Sequence, residues 1–307
     1  SNFQISFNRN TLVALSGTTA ASIVGYGQWS DVVCVSEIGK PLYNFYGYVV
    51  EGVYESLEDI ENSPKTEKHP ANGVYNRANT VWVGDLKYKD INEDGVINDQ
   101  DRTDIGSPLP KFTFGWNNTF RYKSFDLNIF LNGSYGNKVL NYSLMNGPSG
   151  GLASMRSAWV NQNNDAIKDR AQLVPIDPEK VYESGNWYDD ITNVKVANTG
   201  TKTPRPTLND PNDNDRLSTR YIEDGSYLRI KNLTLGYTFP KKWMQKAHFD
   251  NIRVYCNIQN LYTFTKYSGY DPEVGASTQD SSGYAYGVDN GRYPSPTTYS
   301  FGVSLTF

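Results

Sequence analysis

The sequence predicts an all-β fold: part of a transmembrane antiparallel β-barrel with long extracellular loops. Two observations favour this class. Apolar and polar residues alternate with a period of two in about six segments, which is the pattern of strands with one apolar face. The polar positions carry mainly Asn, Thr, Ser and Gly, and aromatic residues crowd the segment ends, where a bilayer interface holds them.

In chain order, the first three segments lie at Phe3–Phe7, Lys111–Lys123 and Phe125–Tyr135. The first is short, with apolar odd positions and polar even positions. Only a tight turn near Lys123 and Ser124 separates the second segment from the third. These two segments are therefore predicted to form a hairpin.

The last three segments cover Asn232–Phe239, Ile252–Gln259 and Tyr299–Phe307. In the final segment the aromatic and aliphatic side chains fall on one side, and Ser, Gly and Thr fall on the other. This strand suits a barrel with lipid outside and a wet lumen inside. Because about 8 strands make the smallest closed barrels and the plugged ones use about 22, we expect these segments to be the last strands of a roughly 22-strand barrel.

A soluble β-sandwich is the alternative, because a half-buried strand also alternates apolar with polar residues. The two classes differ in what covers the apolar face. Lipid covers it in a barrel, whereas a second sheet covers it in a sandwich. The barrel interpretation requires that no second sheet interlocks with these apolar side chains.

Composition and charge exclude other classes. The chain has 38% hydrophobic and 14% aromatic residues, a mean hydropathy of -0.59 and no apolar run as long as a membrane-spanning helix, so a helical membrane protein is excluded. Its net charge of -4 argues against a nucleic-acid partner. Cys34 and Cys256 are far apart in sequence, and we expect neither a disulfide nor a metal site from them.

Connections between the segments alternate between short and long. The short ones are the turn near Lys123 and the stretch between Pro240 and Asn251; the long ones are 10–110, 137–225 and 268–295. Outer-membrane barrels place long loops outside the cell, so function is expected there. In the second long loop we predict a short helix near Leu152–Val160. The run Asn209–Asp215 is interpreted as a solvated turn-rich tip or as a cation site.

One loop carries a metal-binding motif. From Asp90 to Asp101 the spacing matches a calcium loop, with side-chain oxygens at the first, third and fifth positions and a glycine at the sixth. The predicted ligands are Asp90, Asn92, Asp94, the carbonyl of Val96, and Asp101. At the last position Asp101 is shorter than the usual Glu. A calcium ion that stiffens this loop is expected, with a metal-free acidic turn as the alternative.

The sequence does not assign a substrate site. Four aromatic residues of the long loops are candidates for contacts with sugar rings or peptide side chains: Tyr46, Trp187, Tyr284 and Tyr286. The alternative is that they pack the loops against each other.

We expect no enzymatic activity. His69 and His248 are the only histidines, and the sequence has no nucleophile elbow, zinc-ligand spacing or glycine-rich phosphate loop. The many carboxylates leave a glycosidase pair open as a hypothesis.

Several distinctive sequence blocks follow one another in the order seen in a known family. The blocks are Gly39–Gly47, Gly84–Gly95, Ile105–Pro110, Lys111–Phe120, Glu223–Tyr237, Gln259–Tyr267, Gly269–Glu273 and the terminal strand. In these blocks the chain resembles the carboxy-terminal part of the SusC/RagA family of TonB-dependent outer-membrane transporters. The likeness spans most of residues 1–307, and it implies that the plug domain is not in this chain.

The resemblance implies an importer of large nutrients, oligosaccharides or oligopeptides, in the outer membrane of a Gram-negative bacterium. It implies a SusD-like surface lipoprotein that covers the barrel, and energy from TonB, which would be contacted by an upstream region. The alternative function is a passive porin or a surface-binding β module without energy coupling. The residues that contact substrate are not implied, because members of the family differ in their loops.

Overall fold

The computed structural model describes residues 1–15, 22–27, 32–146, 169–182, 185–207, 210–246, 249–276 and 283–306. Its largest element is a six-stranded antiparallel sheet, here called the wall. In spatial order the wall strands are β1 (Asn2–Ser6), β10 (Phe112–Tyr122), β11 (Phe125–Tyr135), β16 (Tyr227–Thr238), β17 (Asn251–Thr265) and β19 (Thr298–Thr306). These strands match the six segments predicted from the alternation of apolar and polar residues.

The remaining elements are short and, apart from α3, lie in the long connections. The strands are β2 (Ser22–Tyr26), β3 (Val32–Glu37), β4 (Asn44–Gly47), β5 (Val50–Val53), β6 (Lys65–Thr66), β7 (Leu86–Tyr88), β8 (Val96–Ile97), β9 (Thr103–Gly106), β12 (Lys138–Asn141), β13 (Leu173–Pro175), β14 (Val194–Val196), β15 (Ile222–Asp224) and β18 (Val288–Asp289). The α-helices are α1 (Leu57–Glu61), α2 (Tyr142–Asn146) and α3 (Lys241–Lys246). The helix predicted near Leu152–Val160 lies outside the described residues.

No helix in the described ranges is long and apolar enough to cross a membrane.

Strand register confirms that the wall has one apolar and one polar face. A row of directly opposed apolar residues crosses five strands: Phe120, Leu127, Leu235, Cys256 and Phe301. The adjacent row on the other face is Thr119, Asn128, Thr234, Asn257 and Ser300. Because the side-chain period of a strand is two, a register slip of one residue would mix these two rows.

The apolar face has no second sheet packed on it. Phe301 is 80% exposed, Val303 is 64% exposed and Phe120 is 57% exposed, and further large apolar side chains of the same face are exposed along the wall. Exposure of so many contiguous apolar groups to water is unfavourable, at about 25 cal/mol per Å². A hydrocarbon environment removes this cost. The face therefore fits lipid, and the soluble sandwich is excluded for the described residues.

The wall is joined by short turns at one end and by long loops at the other. Strands β10 and β11 meet at a two-residue turn in which Lys123 has a φ of 52°, as two-residue hairpin turns require a positive φ. A short connection with α3 joins β16 to β17 at the same end. The three long connections, 7–111, 136–226 and 266–297, all leave the opposite end. The predicted alternation of short and long connections is confirmed.

The three long connections pack together into a separate layer, here called the loop layer. Among the described residues, one core of this layer contains Trp82 and Tyr88 and joins the first connection to the second. The other core includes Phe45, Tyr221 and Val288, one residue from each of the three connections. Burial of these large side chains supplies the stabilisation that lets long loops keep a defined shape.

The segment Asp210–Asp215 corrects one prediction. The sequence predicts a solvated tip or a cation site here, but Asp210, Asn212 and Asn214 are buried inside the loop layer, so the solvated tip is wrong. Asn209 lies outside the described residues. The Asn214 side chain accepts a hydrogen bond from the Leu86 N–H at 2.7 Å and donates one to the Asp210 carboxylate at 2.7 Å. The Asp210 and Asn214 side chains can be buried because they satisfy each other and the backbone of a neighbouring strand.

We expect the loop layer to lose stability as the pH rises from about 4 to about 7. Burial raises the pKa of Asp210 to about 7, with contributions from Asp215 and Asp85. In this window the folded protein holds a proton that the unfolded chain releases, so the free energy of unfolding falls as the pH rises. Asp210→Asn removes the titrating group and is expected to flatten this dependence. Thermal unfolding of the loop layer across this range is the measurement.

The matched control is Asp169→Asn, since Asp169 is exposed in the same connection. This variant should keep the slope of the original chain. An unchanged slope in Asp210→Asn would contradict the assignment.

Candidate functional site

The polar face of the wall meets the loop layer at a buried arginine. Arg229, in β16, is only 2% exposed. Its guanidinium lies 2.5 Å from the Asp271 carboxylate and 2.8 Å from that of Glu273, and its Nε donates to Thr263 Oγ1 at 2.8 Å. Asp271 and Glu273 belong to the third long connection. A charged side chain of the wall therefore fastens this connection over the polar face.

The ion pairs of Arg229 with Asp271 and Glu273 are here called the anchor. A cavity of about 550 Å³ lies beside the anchor, between the polar face and the loop layer. Its size falls within the range of about 300–1,000 Å³ that is usual for ligand sites. The wall contributes Thr113, Ser134, Tyr227 and Lys231 to its lining. The third connection contributes Glu273, Tyr286, Arg292 and Tyr293, and prolines and Val274 provide apolar surface. In a barrel the polar face is the lumen side, so this cavity lies at the outer mouth of the lumen.

The structure does not bring the four aromatic candidates together. Tyr286 lines the cavity and stacks on Tyr43, with 5.7 Å between ring centroids. The Tyr46 ring lies under the Arg102 guanidinium at 5.0 Å, and Trp187 packs on the core that contains Trp82. Tyr284 is exposed but does not line this cavity.

These positions leave Tyr286 as the candidate placed to meet a ligand in the cavity. The roles of all four residues stay predictions. Tyr46 and Trp187 contact other loop residues, as expected under the alternative that the loop aromatics pack the loops against each other.

The predicted calcium loop folds around its first carboxylate. Asp90 accepts hydrogen bonds from the Glu93 N–H at 2.7 Å and the Gly95 N–H at 2.8 Å. Gly95 has a φ of 82°, which permits the sharp turn at this position. Asp94 accepts the Val96 N–H at 2.9 Å. The loop therefore has the curled backbone that the motif requires.

The predicted calcium ligands that an ion can reach lie on the exposed side of this loop. Asp90, Asn92 and Asp94 are accessible there, whereas Asp101 is fully buried and accepts the N–H groups of Ile91 and Asn98, both at 2.8 Å. Among the described residues, no group of three acidic, histidine or cysteine side chains is arranged to hold a metal ion. An ion at this loop would therefore also need the Asn92 side chain and the Val96 carbonyl.

Sequence reasoning missed the anchor and the cavity. Arg229 and Glu273 lie within the Glu223–Tyr237 and Gly269–Glu273 blocks, but nothing in the sequence pairs them. The available signal was the presence of an arginine on a strand face made otherwise of small or uncharged polar residues. The cavity depends on how the third connection folds back, which local patterns do not encode.

Known proteins similar to this chain are TonB-dependent receptors. No family model matches. TonB-dependent receptor P3 of Formosa agariphila is 32% identical over 274 residues, covering 88% of this chain and 22% of that protein. TonB-dependent receptor SusC of Bacteroides thetaiotaomicron is 24% identical over 308 residues, covering 99% of this chain and 24% of that protein. The chain spans about a quarter of the length of these curated relatives.

Solved structures share the fold. The structure of the RagAB peptide transporter superposes with a TM-score of 0.61 at 19% identity, covering 99% of this chain and 27% of that one. The RagAB peptide importer in its closed-closed state gives a TM-score of 0.60, also at 19% identity, covering 99% of this chain and 27% of that one. At this identity the similarity concerns the fold alone.

The wall, its uncovered apolar face and these matches define the chain as part of the β-barrel of a TonB-dependent receptor. The chain therefore belongs to the TonB-dependent receptors, and within that class its sequence is similar to SusC. The resemblance predicted from the sequence blocks is confirmed.

Proposed function

We propose that this chain supplies part of the barrel and outer loops of an outer-membrane importer for nutrients too large for a porin. The observation that carries this proposal is the cavity at the outer mouth of the lumen, roofed by a connection that Arg229 ties to the wall. A roof of this kind opposes free diffusion through a permanently open channel, and so it favours an importer over a passive porin. No chemical change of the nutrient is proposed.

The proposal includes energy from TonB and a SusD-like surface lipoprotein that covers the barrel. Support comes from the relatives, which are named TonB-dependent receptors and include SusC. The nutrient is an oligosaccharide or an oligopeptide; the RagAB neighbours are described as peptide transporters. Under the same proposal, the protein resides in the outer membrane of a Gram-negative bacterium.

Uptake by cells that carry the full-length receptor tests the proposal. We expect uptake of labelled oligosaccharides or oligopeptides to fall to background when the receptor is deleted, and to fall equally when TonB is deleted. Each deletion strain carrying the corresponding restored gene is the control. Uptake that needs the receptor but persists without TonB would support the passive porin and contradict the importer.

We also propose that the Asp90–Asp101 loop binds calcium through Asp90, Asn92, Asp94, the Val96 carbonyl and Asp101. The support is the motif spacing together with the curled loop around Asp90. The ion would stiffen the loop and take no part in transport chemistry. Val96 and Ile97 form β8, which pairs with β6, so the loop connects two elements of the loop layer.

Calcium is expected to stabilise the loop layer. With calcium at about 100 times its dissociation constant, the free energy of unfolding should rise by about 2.7 kcal/mol. The double variant Asp90→Asn, Asp94→Asn should lose this increase. Glu93→Gln is the matched control, since Glu93 lies between ligand positions. Thermal unfolding with calcium and with a chelator is the measurement, and equal melting temperatures in the two conditions would contradict the proposal.

A further inference from the structure

An interruption of the wall places a lysine in the cavity. Along β16 the pairing with β11 jumps from Ile230 to Asn232, and the pairing with β17 jumps between the same two residues. Lys231 is thus the extra residue of a β-bulge. Bulges re-aim side chains, and they are common next to functional sites. Here Lys231 joins the lining of the cavity, on the same side as Tyr227.

Strand β17 is irregular at the same level. Asn260 has a φ of 51°, in the left-handed region that is uncommon for residues other than glycine. Its side-chain amide donates to the Pro296 carbonyl at 3.1 Å, and its own carbonyl accepts the Thr297 hydroxyl at 2.9 Å. The distortion is therefore tied to the end of the third connection, which forms the roof of the cavity.

The charged groups around the cavity differ in how far protein partners already neutralise them. Asp271 is buried, and it accepts hydrogen bonds from Arg229, from the Glu273 N–H at 3.0 Å and from the Ser295 N–H at 3.2 Å. The negative charge of Asp271 is therefore paired with Arg229 within the anchor. Glu273 is half-exposed and places one carboxylate oxygen 2.8 Å from Arg229. These two carboxylates and the Arg229 guanidinium leave one net negative charge.

Two cations remain on the lining. Lys231 Nζ lies 3.6 Å from the same Glu273 oxygen, beyond hydrogen-bonding distance, and its side chain is partly exposed. Arg292 is exposed and lines the same cavity. The two lining cations balance the two lining carboxylates, and Arg229, which pairs with both carboxylates from beside the cavity, brings the local sum to one net positive charge, although the chain as a whole carries -4. A local charge opposite in sign to that of the whole chain attracts anions to this position.

We infer that this cavity is an anion-recognising subsite, which takes a carboxylate group of the imported nutrient between Lys231 and Arg292. The inference rests on the proposed function, since it deepens the role of the same cavity. The phenol groups of Tyr227 and Tyr286 line the cavity with these cations. They provide hydrogen-bond donors for the parts of the nutrient next to its carboxylate. The carboxylate belongs either to a uronate sugar or to a peptide.

Binding of matched oligomers to the full-length receptor tests the subsite. The acidic probes are tetragalacturonate and tetraglutamate, and the neutral probes are maltotetraose and tetra-alanine amide acetylated at its amino terminus. We expect at least one acidic probe to bind about fivefold more tightly than the neutral probe of its class, the ratio expected for one partly exposed charge pair. A preference for tetragalacturonate would identify a uronate sugar as the source of the carboxylate, and a preference for tetraglutamate would identify a peptide.

Variants of the full-length receptor locate the preference. Lys231→Gln is expected to remove most of the difference between acidic and neutral probes, and Arg292→Gln to reduce it. Lys195→Gln is the matched control, since Lys195 is exposed in β14 and lies outside the cavity lining. The control should bind every probe as the original chain does.

Three results would overturn the subsite: equal affinity for acidic and neutral probes, no binding of either acidic probe at millimolar concentration, or an equal loss for both probe types in Lys231→Gln. These results are separable from failure of the importer. Uptake that still requires TonB, without any preference for acidic probes, removes only the subsite. Uptake that is independent of TonB removes the importer, whatever the probes show.

Discussion

Leu233→Arg is expected to destabilise the wall by about 2–4 kcal/mol, the cost of an arginine near the middle of the lipid-facing surface of a barrel. Leu233 lies near the centre of β16, opposed by Ile129 on one side and Ile258 on the other. All three belong to the apolar face. The cost arises because the guanidinium must leave water for hydrocarbon or pull water and lipid headgroups toward it.

The neighbouring residue provides the control. Thr234 is on the polar face, where its hydroxyl donates to Asn257 Oδ1 at 2.8 Å. Thr234→Arg should cost less, about 1–2 kcal/mol, because this hydrogen bond and the one that Thr234 accepts from Asn232 at 3.1 Å are lost but the new charge stays in the aqueous lumen. Urea titration of the full-length receptor folded into lipid vesicles measures both variants. A larger loss for Thr234→Arg than for Leu233→Arg would reverse the assignment of the two faces.

The wall was predictable because its signal is local. In a strand, side chains alternate between faces, so the order of residues alone places Leu233 with Leu235 and Thr234 with Asn232. The hairpin at Lys123 was also local. The bulge at Lys231 was not predictable, since the residues around it keep a strand-like composition and the extra residue becomes visible only through its pairing partners.

The loop layer was less predictable, for a physical reason. Asp210 and Asn214 have the composition of a solvated turn, and only tertiary contacts with β7 show that they are buried. Polar residues become interior when their donors and acceptors find partners. Asp210 finds its partners locally, in Asn214 and Asp215, but Asn214 also bonds to Leu86 and Asp85, which are more than 100 positions away in the chain. The calcium motif, by contrast, was predictable from sequence, since its spacing is entirely local. Its predicted turn is present, and its ion stays a prediction.

Removal of the Asp85 carboxylate is expected to destabilise the loop layer by about 3–5 kcal/mol. Asp85 is fully buried beside Arg205, which is only 3% exposed. Arg205 Nη2 donates to the carboxylate at 3.1 Å; Nε is 2.8 Å from the other oxygen, but its N–H is not directed at it. The Trp82 N–H and the Asn214 amide also donate to Asp85. Asp85→Ala removes the acceptor of all these hydrogen bonds and leaves the buried Arg205 charge without its carboxylate.

Two further variants separate charge from packing. Asp189→Ala breaks an exposed pair, in which Arg77 Nε lies 2.9 Å from Asp189, and should cost less than about 1 kcal/mol because water replaces the lost partner. The double variant Asp85→Leu, Arg205→Met removes both buried charges. It should be more stable than Asp85→Ala, since the penalty of the single change comes mainly from the unpaired guanidinium.

Thermal unfolding of the full-length receptor, with hydrogen exchange of residues 81–88 as a local readout, measures this series. Asp85→Ala should expose the backbone of β7 to exchange, because Trp82 and Leu86 are held by the same network. The wall should stay protected, since its strands are paired independently of the loop layer. Equal losses for Asp85→Ala and Asp189→Ala would mean that the buried pair does not hold the loop layer together.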